Sequence, residues 1–194
     1  MQKTLYLASG SPRRTELLTQ LGIEHRVFPV DIDESPNDEE APLTLVRRLA
    51  TQKAEAALSR LPDSARESGV ILAADTLIAF DGKPLGKPKD LADSKAILSS
   101  LSGQEHEVIT AICVADSCRA VTEHVVTKVQ FAKLNENDIE SYWASGEPQD
   151  KAGSYAIQGI GGRFVVSITG SYSSVVGLPL FETEQLLSSF GVSV

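Results

Sequence analysis

The fold is decided first by residues 4–22, which read TLYLASGSPRRTELLTQLG. The apolar, β-prone residues 4–8 predict a short strand, and the serine–glycine–serine turn at 9–11 follows it. Proline at position 12 suits the first turn of a helix, because the N–H that it lacks has no helical partner there. Apolar spacing then predicts a helix that ends at Gly22. A strand, a glycine turn and a helix in this order indicate an α/β unit.

The same turn is the first candidate ligand site. At a helix N-terminus the free backbone N–H groups point outward and the helix dipole favours an anion, so phosphate is the expected ligand. Arg13 and Arg14 add bidentate donors that match phosphate oxygens, although their charges oppose the dipole. Ser11 is the expected helix cap. A solvated basic turn would also account for these residues, and the chain contains no G-x-x-x-x-G-K-[ST] loop.

Strands and helices alternate through the rest of the chain. Predicted strands cover residues 25–30, 70–74, 76–80, 83–85, 107–115, 120–132 and 164–169, and predicted helices cover residues 43–58, 91–101, 136–144 and 179–190. The Asp81-Gly82 dipeptide predicts a tight hairpin, and residues 116–119 join a second one. Adjacent strands without a helix between them predict an α/β fold with a mixed twisted sheet and flanking helices, in one domain over residues 1–194.

Composition limits the classes of function. Hydrophobic residues make up 42% of the chain and charged residues 23%, which is ordinary for a globular domain. The net charge of −8 argues against a nucleic-acid surface. No apolar run approaches the roughly 20 residues of a membrane helix, and no signal-peptide pattern is visible, so the cytoplasm is the expected location. Cys113 and Cys118 predict neither a disulfide framework nor a zinc site.

Carboxylates form the second candidate site. Asp75 closes the apolar stretch 70–74, and ligands of α/β sheets bind at the carboxyl ends of strands. Glu34, with Asp31 and Asp33, lies in an acidic loop after the second predicted strand. Carboxylate oxygens suit Mg²⁺ or Mn²⁺, and a carboxylate can also act as a general base. A turn cap at Asp75 and a solvated acidic loop would explain the same residues.

Lysines and glycines supply further candidates. Lys53 lies in a predicted helix whose other members are mostly apolar or small, and Lys87 and Lys89 flank a proline. Each lysine, taken alone, is equally compatible with a surface position. Residues 145–162 are dense in glycine, which lets backbone approach a ligand or close a tight turn.

Taken in order, these segments resemble the Maf family of nucleotide pyrophosphatases, also called septum-formation-inhibitor-like proteins. The matching segments are residues 7–14, 33–34, 50–54, 74–76, 86–88, 144–148, 150–155, 157–159 and 176–179. The resemblance implies an elongated, two-lobed fold with a central cleft, akin to inosine triphosphate pyrophosphatases. It also implies a homodimer, and hydrolysis of a nucleoside triphosphate between its α and β phosphates with Mg²⁺ or Mn²⁺.

Site residues follow from the resemblance position by position. It implies that Asp75 is the catalytic base, that Asp75 and Glu34 hold the metal, and that Lys53 and Lys87 contact the triphosphate. Ser9, Arg13 and Arg14 match the phosphate-side turn, and Arg13, Thr76 and Gln158 match three positions that set base preference. These three residues have the pattern of the subgroup that prefers dTTP and UTP.

Two other functions use the same kinds of residues. A nucleotide-sensing protein that acts on cell division would need the pocket but not both carboxylates. A nucleotidyltransferase would also release pyrophosphate, but it would need an acceptor. Incubation with nucleotide alone separates hydrolysis from transfer, because only hydrolysis then yields monophosphate.

Overall fold

A computed structural model describes residues 3–193 of the chain. Its strands are β1 Thr4–Leu7, β2 Arg26–Val27, β3 Gly69–Phe80, β4 Lys83–Leu85, β5 Glu105–Ala115, β6 Ala120–Phe131 and β7 Val165–Thr169. Its helices are α1 Pro12–Gln20, α2 Pro42–Arg60, α3 Asp63–Arg66, α4 Leu91–Leu101, α5 Glu136–Ala144, α6 Tyr172–Val176 and α7 Leu180–Ser189. Short 3₁₀ helices cover Glu147–Asp150, Ala152–Ser154 and Ile160–Phe164.

The strands form one mixed sheet, which confirms the predicted fold class. The order is β2-β1-β3-β5-β6-β7, and β4 pairs with β3 outside this path. β1 runs parallel to both β2 and β3, whereas β3, β5, β6 and β7 pair antiparallel. Both predicted hairpins are present. Asp81 and Gly82 both have positive φ, 49° and 73°, as the tight turn requires.

The central strand β3 corrects one prediction. Residues 70–74 were expected to form a strand that ends before Asp75, followed by a separate hairpin. Instead β3 is continuous over 12 residues, and Asp75 pairs with Ala111 in the middle of it. Nine consecutive residues of β5, 107–115, pair with residues 71–79 of β3 without a break, so nothing ends β3 at the polar residues.

The opposite edge of β3 is only partly covered. β1 pairs with β3 as far as Leu72, and β4 pairs with it only from Ile78 onward. Within residues 3–193, the stretch 73–77 therefore has no strand partner on this edge. Asp75 and Thr76 lie in this opening.

Alternation along β3 sends its side chains to two different cores. Ile71 and Ala73 pack with α2 in one cluster, whereas Leu72 and Ala74 pack with α1 and α7 in the other. A third cluster, built around Phe131 and Tyr142 among others, packs α4 and α5 at the far end of the sheet. Because successive side chains of a strand alternate, Asp75 lies on the α2 face and Thr76 on the opposite face.

Several boundaries differ from the predictions. The second strand was expected over residues 25–30 but covers only Arg26–Val27, and α3 and α6 were not predicted. Ser11 precedes α1, but its side chain makes no capping hydrogen bond. Asp90 does cap α4, accepting a hydrogen bond of 2.8 Å from the Asp93 N–H. No helix within residues 3–193 is long and apolar enough to cross a membrane.

Candidate active site

A lysine joins the two predicted metal-site carboxylates. Lys53 lies on α2, which packs on the same face of β3 as Asp75, and its Nζ lies 2.6 Å from Asp75 Oδ1. The same Nζ lies 2.7 Å from Glu34 Oε1. The side chains of Lys53 and Asp75 are 11% and 13% exposed, whereas that of Glu34 is 60% exposed. The structure thus brings together three residues that the sequence places in separate segments.

Burial sets the protonation chemistry of Asp75. Burial raises the pKa of this carboxyl above its usual value, because the charged form loses water contacts. The charges of Lys53 and Arg14 pull the pKa down without cancelling the effect of burial, and the negative charge of Glu34 raises it further. A carboxylate with a raised pKa is a better proton acceptor than an exposed one.

The donor set at this point fits a divalent metal that is shared with a substrate. Within residues 3–193 no group of three or more Asp, Glu, His or Cys residues is arranged to hold a metal. Asp75 and Glu34 nevertheless converge on one cation position, which the Lys53 ammonium fills. Mg²⁺ is commonly bound by one or two carboxylates, several waters and substrate phosphates. Asp33 has another role, because it accepts a 2.9 Å hydrogen bond from the Ser35 N–H within its own loop.

Arg14 organises the turn before α1. Its guanidinium donates to Ser9 Oγ at 3.0 Å, to Thr76 Oγ1 at 3.2 Å and to the Gly177 carbonyl at 2.8 Å. Ser9 Oγ also accepts from the Ser11 N–H at 3.2 Å. One side chain thus ties the serine turn, β3 and the end of α6 together.

A cavity of about 360 Å³ opens beside this turn. The predicted site residues that line it are Arg13, Arg14, Thr76, Lys87 and Gln158. Gln158 is exposed, and no hydrogen bond engages its side chain in the part of the chain that the structure describes. A larger opening of about 1160 Å³ lies where α1 ends, near the C-terminus, and none of the predicted site residues lines it.

Lys87 lines the cavity, and a backbone hydrogen bond holds Gly86, the residue before it, in place. The Gly153 N–H donates to the Gly86 carbonyl at 3.0 Å, and this bond joins the two chain segments that border the cavity. Gly153 has φ of 66°, and a Cβ atom there would lie 2.6 Å from Ile78. Lys89 does not line the cavity.

Glu147 and Tyr142 hold the segment that carries Gln158. The Glu147 carboxylate accepts hydrogen bonds from Tyr142 Oη at 2.7 Å, from the Ile160 N–H at 2.8 Å and from the Gly161 N–H at 2.9 Å. Tyr142 Oη accepts in turn from the Ala156 N–H at 3.0 Å. Both ends of the segment around Gln158 are thereby fixed to the end of α5.

The close approach of Glu147 explains one of the glycines. A Cβ atom at Gly159 would lie 2.1 Å from Glu147 Oε2, so a larger residue would displace the carboxylate. The pKa of Glu147 is lowered; burial opposes this, but hydrogen bonds from Gly161, Tyr142 and Ile160 outweigh it. Glu147 lies in one of the matching segments, but no local sequence pattern marks this role.

Thr110 is a second residue that the sequence analysis missed. It lies on β5 opposite Thr76, is fully buried, and its Oγ1 is 2.9 Å from Thr76 Oγ1. Its hydroxyl donates to the Ser174 carbonyl at 2.7 Å. β5 reads as an apolar strand, so no local pattern marks this threonine.

Known proteins are similar to the chain over nearly its whole length. A protein named dTTP/UTP pyrophosphatase from Aliivibrio fischeri is 50% identical over 190 residues, covering 98% of this chain and 100% of the relative. Proteins of the same name from Pseudoalteromonas translucida and Vibrio vulnificus are also 50% identical, over 190 and 186 residues, and cover 98% and 96% of this chain and 98% of each relative.

A crystal structure of a Vibrio cholerae protein is 12% identical and covers 75% of this chain and 72% of its own, with a TM-score of 0.35. The model of the family described as Maf-like protein matches residues 4–190. The chain therefore belongs to the Maf family.

Proposed function

We propose that this enzyme hydrolyses dTTP and UTP to the monophosphate and pyrophosphate, by attack of water at the α-phosphate. The observation that carries the proposal is the pairing of Asp75 and Glu34 through Lys53, with Asp75 next in the chain to Thr76, which lines a cavity together with cationic residues. The names of the relatives, at about 50% identity and nearly full coverage, support the same substrates and the same bond.

Asp75 is proposed as the general base. Its raised pKa suits a group that takes a proton from water as the water attacks. Asp75 and Glu34 are proposed to hold Mg²⁺ or Mn²⁺, which would neutralise phosphate charge and orient the leaving group. With a metal held by the two carboxylates, Lys53 would be free to replace one carboxylate partner with a phosphate oxygen. Its positive charge would then stabilise the negative charge that develops on the leaving pyrophosphate.

Arg13 and Lys87 are proposed to bind the phosphates directly. Both line the cavity, and neither makes an ion pair or a side-chain hydrogen bond within residues 3–193. Arg14 differs, because its guanidinium already donates to three protein acceptors. Ser9 accepts two hydrogen bonds, so its own hydroxyl proton remains available to a phosphate oxygen.

The products test the proposal. Incubation of the protein with UTP or dTTP and Mg²⁺ or Mn²⁺, with no acceptor present, is expected to yield monophosphate and pyrophosphate in equal amounts. EDTA is expected to stop the reaction. Chromatography of the nucleotides, with inorganic pyrophosphatase left out, measures both products. Diphosphate and orthophosphate as first products would show that a different bond is cut, and no monophosphate without an acceptor would favour a transferase.

Gln158 is proposed to read the base. Its amide presents a donor beside an acceptor, which matches the carbonyl and N3–H edge of uracil and thymine. Cytosine has an amino group and an unprotonated N3 there, which the amide leaves unpaired in the orientation that fits uracil, and a mismatch of buried polar groups can reject it strongly.

Replacing Gln158 by Ala is therefore expected to lower the ratio of kcat/KM for UTP to that for CTP. We expect a smaller effect on metal binding. Competition between UTP and CTP gives the ratio of kcat/KM directly, and a titration with Mn²⁺ serves as the control. An unchanged ranking of nucleotides would remove Gln158 from the base site and leave the phosphate-side assignments standing.

The setting of the enzyme is proposed on the same basis. We propose that it works in the cytoplasm as a homodimer on free nucleotides, and that its single domain is divided into two lobes by the opening at residues 73–77.

A further inference from the structure

The end of helix α6 leaves one carbonyl without a helical partner. The N–H groups of Gly177 and Leu178 both donate to the Ser173 carbonyl, each at 3.0 Å. Pro179 follows and has no N–H. The carbonyl of Ser174 therefore needs a donor from elsewhere, since an unpaired backbone group in a buried place is costly.

Thr110 supplies that donor. Its Oγ1 lies 2.7 Å from the Ser174 carbonyl oxygen, and the residue has no exposed surface. A hydroxyl has one proton to donate. Because this proton is used on the carbonyl, Thr110 can act only as an acceptor toward its other neighbour, Thr76.

The direction of the next hydrogen bond follows. Thr76 must donate its own proton across the 2.9 Å contact with Thr110. Thr76 Oγ1 also accepts from Arg14, whose guanidinium has only donors. The proton and one lone pair of the Thr76 hydroxyl are therefore committed, and a single acceptor position remains.

We propose that Thr110 is a positioning residue for base recognition: it holds the Thr76 hydroxyl so that Thr76 offers the bound nucleotide an acceptor and never a donor. This inference rests on the proposed function. Thr76 lines the same cavity as Gln158, so its hydroxyl oxygen can share the ring N–H with the Gln158 amide oxygen in a three-centre hydrogen bond, and it selects a base whose ring nitrogen carries a proton. Uracil and thymine have such an N3–H, whereas the N3 of cytosine is itself an acceptor.

Because its proton is committed to Thr110, Thr76 cannot donate a hydrogen bond to the phosphates. Phosphate oxygens accept hydrogen bonds, so a hydroxyl with no free proton cannot serve them. The other donors on a pyrimidine nucleotide that Thr76 could meet are the sugar hydroxyls and the amino group of cytosine, and pairing with that amino group would favour CTP, the reverse of the expected preference. A role at the sugar would show as discrimination between UTP and dUTP, whereas a role at the base shows as discrimination between UTP and CTP.

Replacing Thr110 by Val tests the inference, because Val keeps the shape and removes the hydroxyl. The Thr76 proton is then released and can be donated to cytosine N3. We expect the preference for UTP over CTP, measured by competition, to fall about tenfold. Thr110→Ser keeps the hydroxyl and is expected to retain the preference of the unmodified protein.

Thr127→Val is the matched control. Thr127 is also a fully buried threonine, and its hydroxyl donates to the Ser171 carbonyl at the other end of α6. It has no hydrogen bond to Thr76 in the region that the structure describes. We expect Thr127→Val to lower thermal stability without changing the UTP to CTP ratio. If Thr110→Val does not fold, Thr110→Cys replaces it, since a thiol is a weak donor and acceptor.

Binding measured without turnover separates this inference from the proposed function. Calorimetry of UTP, dUTP and CTP in the presence of EDTA gives affinities whether or not the protein is a hydrolase. A lower ratio of UTP affinity to CTP affinity in Thr110→Val supports the inference even if no pyrophosphate is released. The inference would be overturned if the ratio of UTP to CTP affinity is unchanged in a folded Thr110→Val variant, or if Thr127→Val changes that ratio equally. It would also be overturned if only the ratio of UTP to dUTP affinity changes.

Discussion

Replacing Asp75 by Asn is expected to lower kcat for UTP by about 10²–10⁴-fold while the protein stays folded. Asn keeps the shape of the side chain and can still accept a hydrogen bond from Lys53, which lies 2.6 Å from the carboxylate. It loses the negative charge that would hold a metal and the basicity that would take a proton from water. Steady-state kinetics with UTP measures the loss, and circular dichroism checks the fold.

Asp33→Asn is the control for this variant. Asp33 lies in the acidic loop near Glu34, but its carboxylate accepts a bond from the Ser35 N–H, which an Asn side chain can also accept. We expect it to retain nearly full activity, which would show that the loss at Asp75 is not a general effect of removing charge. Turnover close to that of the unmodified protein in a folded Asp75→Asn variant would return Asp75 to a structural role.

The pH dependence follows from the raised pKa of Asp75. Because the base must be ionised, activity is expected to rise with pH through a pKa above the usual Asp value of about 4. Stability changes in the opposite direction. A pKa that is higher in the folded state means that ionising Asp75 opposes folding, so its contribution is lost as pH rises from the unfolded-state pKa through the folded-state pKa. The Asn variant should lack both trends.

The second large effect is expected at Lys53. Replacing it by Met removes the ammonium that bonds both carboxylates. Among the influences that lower the pKa of Asp75, the charge of Lys53 is the largest, while burial and Glu34 raise it. The pKa of Asp75 should therefore rise further, so that a smaller fraction of the base is ionised at any given pH. We expect kcat to fall about 10²–10³-fold, through this change and the lost stabilisation of the leaving group.

The pH profile distinguishes this explanation from a purely structural one. In Lys53→Met the pH of half-maximal activity is expected to lie above that of the unmodified protein, and Lys53→Arg should restore part of the difference. Lys89→Met is the control, because Lys89 lies outside the cavity. A fall in kcat with no shift of the profile would contradict the coupling between Lys53 and Asp75.

Local sequence patterns were a good guide to the type of each element. Residues 4–22 formed the predicted strand, turn and helix, and the helix predicted over residues 91–101 formed with those bounds. Both hairpins formed where their turn residues stand. These features depend on periodicity and on residues close in sequence, so a single chain contains the information. The short helix α6 was missed, since its five residues are too few for a helical period.

The candidate site needed more than local pattern. Chemistry identified the carboxylates and lysines as candidates, and the family resemblance selected among them. Neither indicated that Asp75 lies in the middle of β3, because the continuity of that strand depends on the ladder that β5 provides. The alternation of side chains along β3 then places Asp75 on the face of the sheet next to Lys53 and Thr76 on the opposite face.

By itself, the sequence determined the elements, the mixed sheet and the residue types that a nucleotide site requires. Only the tertiary structure decided which distant residues form hydrogen bonds with one another. Arg14 meets the Gly177 carbonyl across 163 positions of the chain, and Thr110 meets Ser174 across 64. Such hydrogen bonds satisfy groups that folding buries, and any of many donors could have served. Which donor does so depends on how the whole chain packs, because only packing brings distant residues within hydrogen-bonding distance.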